Sequence, residues 1–229
     1  MKTRSQSAFT LIEMLVVISI IAVLAAFAVP ALTSALTKGQ MTGTLNNGRQ
    51  LYLAAQQMAL DGAANSDPAL TWPGDFTTAP TVSQYMTALV NNDYLKPGDV
   101  QKLLNAPGTK CVMTYTPAAP PVPASVALAG TPAFKFFLVR DNDSSNVVFV
   151  ESNNYTYDTS VDPAVSPFGD KGFIVQRKGG DASILRKNNA SLASSGQSDS
   201  IFQSTVGKKV NDIDGTVTAE AATDLLVYP

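Results

Sequence analysis

Apolar residues are concentrated near the start of the chain. Residues 9–36 read FTLIEMLVVISIIAVLAAFAVPALTSAL and contain one charged residue, Glu13. Because roughly 20 apolar residues rising about 1.5 Å each span a hydrocarbon core about 30 Å thick, this run is long enough to cross a membrane as a helix. A carboxylate inside such a helix costs about 2.5–3.5 kcal/mol on insertion scales. Glu13 is therefore the first candidate functional residue.

Beyond this run, small and apolar residues recur at helical spacing. They are Leu45, Gly48, Tyr52, Ala55 and Ala59. Spacings of three and four residues place them on one face of a helix. We therefore expect a long helix over 9–61, membrane-spanning over 9–36 and amphipathic over 37–61, which lays this stripe against an exported globular domain of residues 62–229.

Within 62–229, the pattern predicts short helices followed by antiparallel strands. The helices are expected over 82–91 and 99–105, with Ser83 and Asp99 as N-caps. Apolar and β-branched runs predict strands over 133–140, 146–151, 172–178 and 183–187. The fold class predicted from these elements is α+β, with a long helix packed on a small domain that carries an antiparallel sheet.

Three stretches lack a clear helix or strand pattern. Residues 116–132 are rich in Pro and Ala and are interpreted as an extended connector. Residues 188–200 are rich in Ser and Asn and are interpreted as a mobile loop. The apolar end, residues 225–228, is a candidate edge strand.

The composition argues against an enzyme. The 229 residues include no His and one Cys, Cys111, and the formal net charge is −2. Without His there is no Ser-His-Asp or Cys-His pair, and one Cys cannot form an intramolecular disulfide. The weak net charge gives no reason to expect a nucleic-acid partner. No cofactor motif is present, so no cofactor is predicted.

Two acidic turns are the candidates for calcium. They contain Asp141 with Asp143, and Asp212 with Asp214. Calcium takes six to eight oxygen ligands, whereas each turn offers only two carboxylates. Because Asp is also an ordinary turn residue, the turns are interpreted as structural and no metal site is predicted.

The N-terminus resembles that of type IV pilin-like proteins, which include pilins and the pseudopilins of type II secretion systems. The matching features are the basic leader 1–8, the Ala8–Phe9 junction, Glu13, the apolar helix and Pro30. The resemblance implies that a prepilin peptidase cuts before Phe9 and methylates its new amino group. One residue departs from the family pattern, since Ala8 stands where Gly is usual.

The resemblance also implies how the protein assembles. Glu13 would pair with the amino terminus of Phe9 in an adjacent subunit, and Pro30 would kink the helix. The partners implied are other copies, related pseudopilins and an inner-membrane assembly platform. The order of the long helix, the short helices and the Tyr-Leu turn is most like that of a type II secretion pseudopilin. A basic leader that stays in the cytoplasm places the domain in the periplasm, as a single-pass inner-membrane protein.

Several alternatives stay open from the sequence. A signal peptidase could cut after the A-x-A-like segment 26–28. The protein could instead be a surface pilus pilin for adhesion, motility or DNA uptake, or a membrane-anchored binding module that never polymerises. Glu13 could serve only peptidase recognition, and Pro30 could simply end the membrane helix.

Overall fold

A long helix carries two chemically different surfaces. The computed structural model describes residues 10–228, and its first helix, α1, runs from Leu11 to Asn65. The chain divides into two units between Gly39 and Gln40. In the first unit, α1 continues through Pro30, so this proline lies inside the helix and does not end it.

The second unit contains the predicted stripe of α1. Leu45, Gly48, Tyr52 and Ala55 are buried and Ala59 is half-buried, as the helical spacing predicts. The helix ends four residues beyond the expected Asp61. Gly62 allows the chain to fold back after this end, because a Cβ there would lie 1.6 Å from the carbonyl oxygen of Leu70.

Two short helices follow α1. Helix α2 spans Val82–Asn91, as predicted, but its N-cap is Thr81, which forms a capping box with Gln84. The hydroxyl of Ser83 instead accepts a hydrogen bond from the backbone nitrogen of Leu128 at 3.2 Å. Helix α3 spans Pro97–Leu103 and starts two residues early, because a proline is well placed in the first turn of a helix.

The prediction for residues 116–132 is wrong in part, because much of this stretch belongs to a β-hairpin. Strand β1 (Lys110–Thr116) pairs antiparallel with β2 (Ser125–Thr131). Prolines cannot donate to a strand ladder, and here the prolines of residues 117–123 are confined to the turn. The buried Val126 and Leu128 alternate with exposed residues, which is the strand pattern that the prolines obscured.

The remaining strands form a four-stranded antiparallel sheet in the order β3-β4-β5-β6. The strands are β3 (Phe134–Phe136), β4 (Val148–Ser152), β5 (Phe173–Arg177) and β6 (Ala182–Leu185). The observed architecture is therefore α+β and pilin-like: a long apolar helix and a small domain with short helices and antiparallel sheets.

The prediction of a loop over 188–200 is also wrong in part. Short helices α4 (Leu192–Ser195) and α5 (Asp199–Thr205) occupy this region, after a 3₁₀ turn at Lys187–Asn189. Ser191 starts α4 with a capping box to Ser194, so the polar residues cap helices here. Further 3₁₀ turns lie at Pro73–Asp75, Gly169–Lys171 and Ala222–Asp224.

The chain end lies against the edge of the sheet. Leu225 forms an isolated antiparallel bridge with Phe137, and Val227 forms a parallel one with Thr81. The core between α1 and the sheet is aromatic, with Phe149 making edge-to-face contacts with Tyr52, Trp72 and Phe136.

Candidate assembly site at the start of the long helix

The structure describes only part of the segment that the sequence selects. The leader 1–8, including Ala8, and Phe9 lie outside the described residues. Their predicted processing and methylation therefore stay predictions. Of the predicted site residues, Glu13 and Pro30 are described, and both lie in α1.

Glu13 forms a capping box with Thr10, which directly precedes the helix. The backbone nitrogen and the hydroxyl of Thr10 both donate to Oε2 of Glu13, at 2.8 and 2.7 Å. In return, the backbone nitrogen of Glu13 donates to Oγ1 of Thr10 at 3.3 Å. The carboxylate thus satisfies backbone donors that a helix start leaves unpaired.

The capping box gives Glu13 a role within its own chain. Sequence reasoning missed this role, although the spacing T-x-x-E at residues 10–13 is a signature of a helix start. Both accepted hydrogen bonds end on Oε2 and Oε1 takes part in neither, so capping and pairing with a neighbouring cation are compatible.

The helix surface on both sides of Glu13 along the chain is apolar and exposed in every direction. The large side chains exposed here include Leu11, Ile12, Leu15, Ile18, Ile21, Leu24, Phe27, Val29, Leu32 and Leu36. Within the described residues, α1 is the one helix long and apolar enough to cross a membrane. An exposed apolar surface of this extent marks a contact with lipid or with other protein.

Three hydroxyl side chains in this part of α1 form hydrogen bonds within the helix. The hydroxyl of Ser19 donates to the carbonyl oxygen of Val16 at 2.8 Å, and that of Thr33 donates to the carbonyl oxygen of Val29 at 2.9 Å. Thr37 bonds to Thr33 in the same way at 3.0 Å. These side chains need no water, as a segment in lipid requires.

Pro30 lies next to one of these bonds. A proline has no backbone N–H and removes one hydrogen bond from the helix ladder. Thr33 bonds to the carbonyl oxygen of Val29, directly before this proline. The kink predicted at Pro30 stays a prediction.

The one cysteine shows no sign of a prepared nucleophile. Cys111 is buried, and its Sγ lies 3.0 Å from the hydroxyl oxygen of Tyr228. Burial raises the pKa of the Cys111 thiol, which favours the unreactive protonated form.

In the first acidic turn, a lysine ammonium group contacts two backbone carbonyl oxygens. Nζ of Lys178 donates to the carbonyl oxygen of Asp143 at 2.7 Å and also to that of Asp141. The carboxylate of Asp143 accepts from the backbone nitrogen of Arg140 at 2.7 Å. These contacts give the turn a structural role.

In the second acidic turn, the two carboxylates contact different lysines. Asp212 lies 3.6 Å from Nζ of Lys209 and accepts from the hydroxyl of Thr218. Asp214 lies 2.9 Å from Nζ of Lys208. Among residues 10–228, no three Asp, Glu or Cys side chains converge as metal ligands would.

Comparison with known proteins gives matches that include the N-terminal segment. Residues 3–29 match the family model of the prokaryotic N-terminal methylation motif. A type IV major fimbrial protein, FimA of Dichelobacter nodosus, is 33% identical over 67 residues, which cover 29% of this chain and 43% of that protein. The fimbrial protein EcpC of Eikenella corrodens is 34% identical over 111 residues, covering 48% of this chain and 62% of that protein.

These matches leave much of each protein uncovered. The chain spans about 43% to 62% of the length of these fimbrial relatives. No solved structure matches the chain.

Proposed function

We propose that this type IV pilin-like protein is a non-enzymatic structural subunit of a fibre that assembles through the first part of α1. The observation that carries the proposal is the exposed apolar surface of residues 11–36, within and after the methylation motif matched at 3–29. Such a surface is stable in lipid before assembly. In a fibre, the same helix of other copies would cover it, and Ala22, Ala25 and Ala26 allow close approach of helices.

The route to the fibre starts at the membrane. A prepilin peptidase would cut between Ala8 and Phe9 and methylate the new amino group, as the matched motif implies. Lys2 and Arg4 keep the leader in the cytoplasm, so that the globular unit lies in the periplasm. An inner-membrane platform would then transfer the subunit from the bilayer to the fibre base.

Glu13 would have two roles in this process. Within the subunit, its Oε2 caps α1 through Thr10. In the fibre, its Oε1 would face the amino terminus of Phe9 in an adjacent copy. Removal of one partner of a buried ion pair costs about 3–5 kcal/mol, which is enough to prevent assembly.

The kind of fibre has two candidates. The order of the long helix, α2, the turn at Tyr94-Leu95 and α3 favours a type II secretion-like pseudopilus, which would help to move cargo outward. The similarity to FimA and EcpC, which are named fimbrial proteins, favours a surface pilus. Deletion of the gene for this chain distinguishes the two kinds of fibre. Loss of a pseudopilus would make secreted proteins accumulate in the periplasm, whereas loss of a pilus subunit would make surface fibres disappear.

Two substitutions at one position separate capping from charge pairing. Glu13→Gln keeps a side chain that can complete the capping box but removes the charge, whereas Glu13→Val removes both. Thr10→Val is the matched control, since it removes the hydroxyl group from the capping box and keeps the carboxylate. We expect the control to be processed and to form fibres, and both Glu13 variants to be processed without polymerising.

The measurement combines mass spectrometry of the N-terminal peptide with electron microscopy of sheared fibres. A wild-type peptide that begins at N-methylated Phe9 supports the proposal. A start near Val29 would mean signal-peptidase cleavage, and an uncut start at Met1 would mean a permanent anchor. Normal fibres from Glu13→Gln would refute the charge-pairing role, and a wild-type protein that is processed but stays monomeric would favour a binding module.

A further inference from the structure

One basic and two acidic residues meet inside the globular unit. Lys135 on β3 and Glu151 on β4 are direct partners in the strand register. Glu220 reaches the same place from the segment before the last 3₁₀ turn. The exposed fractions of the side chains are 16% for Lys135, 0% for Glu151 and 7% for Glu220.

The two carboxyl groups contact the lysine in different ways. Nζ of Lys135 donates hydrogen bonds to Oε1 and Oε2 of Glu220 at 2.8 and 3.1 Å. The same Nζ lies 2.7 Å from Oε1 of Glu151, yet neither oxygen of Glu151 has a hydrogen-bond partner within residues 10–228. The amine thus donates hydrogen bonds to Glu220 and lies at ion-pair distance from Glu151.

The protonation of this cluster follows from its burial. Burial raises the pKa of Glu151 well above its usual range, which favours the neutral carboxylic acid form of this group. Glu220 then balances Lys135, and it also accepts from the backbone nitrogen of Tyr157 at 3.0 Å. Lys135 can become a neutral nucleophile by passing one proton to Glu220, because its Nζ already contacts both oxygens of that carboxylate.

We propose that Lys135 and Glu151 join in an intramolecular isopeptide bond, with Glu220 as the group that carries the protons. Neutral Nζ attacks the carboxyl carbon Cδ of Glu151, and the N–C bond forms. Glu220 donates its proton to the departing hydroxyl group, which leaves as water when the C–O bond breaks. Glu220 then takes a proton from the nitrogen. The net change is one amine and one carboxylic acid to one amide and one water, with no oxidant or reductant.

The reaction would occur slowly, once per chain. Burial lowers the pKa of Lys135. The charges and hydrogen bonds of the two carboxyl groups together raise this pKa by more than burial lowers it, so that the net shift is upward. The neutral amine is therefore a minor species in the folded protein. Once formed, the amide would persist, because its carbonyl carbon belongs to the fully buried side chain of Glu151.

A second buried cluster provides an internal comparison. Nζ of Lys209 lies 2.8 Å from Oδ2 of Asp224, which also accepts from the backbone nitrogen of Ala221 at 2.9 Å. Nδ2 of Asn211 donates to the other oxygen of Asp224 at 3.4 Å. Both oxygens of this carboxylate are engaged, so we expect it to stay an ion pair.

The bond would fix a strand that is otherwise held by few contacts. Strand β3 has three residues. On its other side, the chain end contacts it through one backbone hydrogen bond from Leu226 to Phe136 and one bridge between Leu225 and Phe137, which directly follows the strand. A covalent link from β3 to β4 closes the loop between residues 135 and 151. It would act as a staple in an exported chain whose single cysteine cannot form an internal disulfide.

The test is the mass of the full chain purified in detergent from its membrane. We expect the wild-type protein to be lighter by one water than its processed sequence. Trypsin should then fail to cut after Lys135, and peptides 111–140 and 141–171 should appear as one joined species. An unmodified mass with cutting after Lys135 would overturn the proposal, and a join to peptide 210–229 would overturn the choice of Glu151.

Three variants assign the roles. Lys135→Arg and Glu220→Gln should both restore the full mass, the first by removing the nucleophile and the second by removing the proton carrier. Lys209→Arg is the control, because it changes the other buried lysine and should keep the loss of water. Loss of water in Glu220→Gln would refute the role of Glu220. The wild-type measurement decides on the bond itself even where a variant does not fold.

Discussion

Glu13 and Glu151 are the same residue type in opposite surroundings. Glu13 lies at the head of an exposed apolar helix and is hydrogen-bonded to Thr10. Glu151 is fully buried beside Lys135, and burial disfavours the charged form of its carboxyl group. The first unit of the chain presents apolar groups that other molecules must cover, whereas the second unit already covers its own apolar and charged groups. The first unit therefore depends on other molecules, whereas the second unit is stabilised by contacts within itself.

Separation of the two units tests this difference most directly. We expect a protein of residues 40–229 to fold as a soluble monomer and to lose all membrane association, because the exposed apolar surface lies before Gly39. Cell fractionation, size-exclusion chromatography and circular dichroism measure this. The control is the full chain, which keeps residues 1–39 and should remain with the membrane. Aggregation of the shorter protein would show that the second unit is not self-sufficient.

Within the second unit, the aromatic core should tolerate truncation poorly. Phe149→Ala removes a buried ring that contacts Tyr52, Trp72 and Phe136. We expect the free energy of unfolding to fall by about 3–5 kcal/mol, as for large-to-small changes in other cores. Denaturation of the soluble unit measures the change. Ile201→Ala, at an exposed site, is the control and should change stability little; equal effects would contradict the burial argument.

Cys111 reports on the same burial by its reactivity. Because burial raises the pKa of this thiol, the folded protein holds less thiolate at pH 8 than the unfolded chain does. We expect alkylation by iodoacetamide at pH 8 to be slower by roughly tenfold or more in the folded protein than in urea. The rate in the folded protein should keep rising above pH 9, since its thiol ionises at higher pH. Equal rates in both states would mean that Cys111 is accessible.

The smallest expected effect concerns a helix cap. Thr81→Ala removes the capping box at the start of α2. We expect a loss of about 1 kcal/mol in the free energy of unfolding, because a donor at the helix start loses its partner. Thr78→Ala, at a nearby exposed threonine, is the matched control, and thermal unfolding of both variants gives the comparison. A loss as large in the control would rule out capping as the cause.

Some elements could be predicted because their signals are local. The apolar run, the stripe from Leu45 to Ala59 and the apolar face of α2 follow from spacing alone. Elements in two regions were missed because the composition of these regions resembled that of loops. The strands β1 and β2 flank a Pro-rich turn, and the helices α4 and α5 lie in a Ser-rich segment.

The candidate site was predictable only in part. The position of Glu13 in the apolar run indicated an assembly residue, whereas the hydrogen bonds from Thr10 to Glu13 became evident only in the structure. Lys135 and Glu151 appeared in the sequence as charged residues within apolar strands. Nothing local indicated that Glu220, far along the chain, would join them.

The sequence alone determined the apolar helix, its single carboxylate and the α+β class, because these depend on residue type and on spacings within one turn or one strand. Only the tertiary structure decided which side chains lie side by side across long sequence separations. Lys135 lies 2.8 Å from Glu220, and Leu225 forms a bridge with Phe137, directly after β3, because the chain end folds back onto the sheet. Such contacts depend on how all elements pack together, and no periodic pattern encodes them.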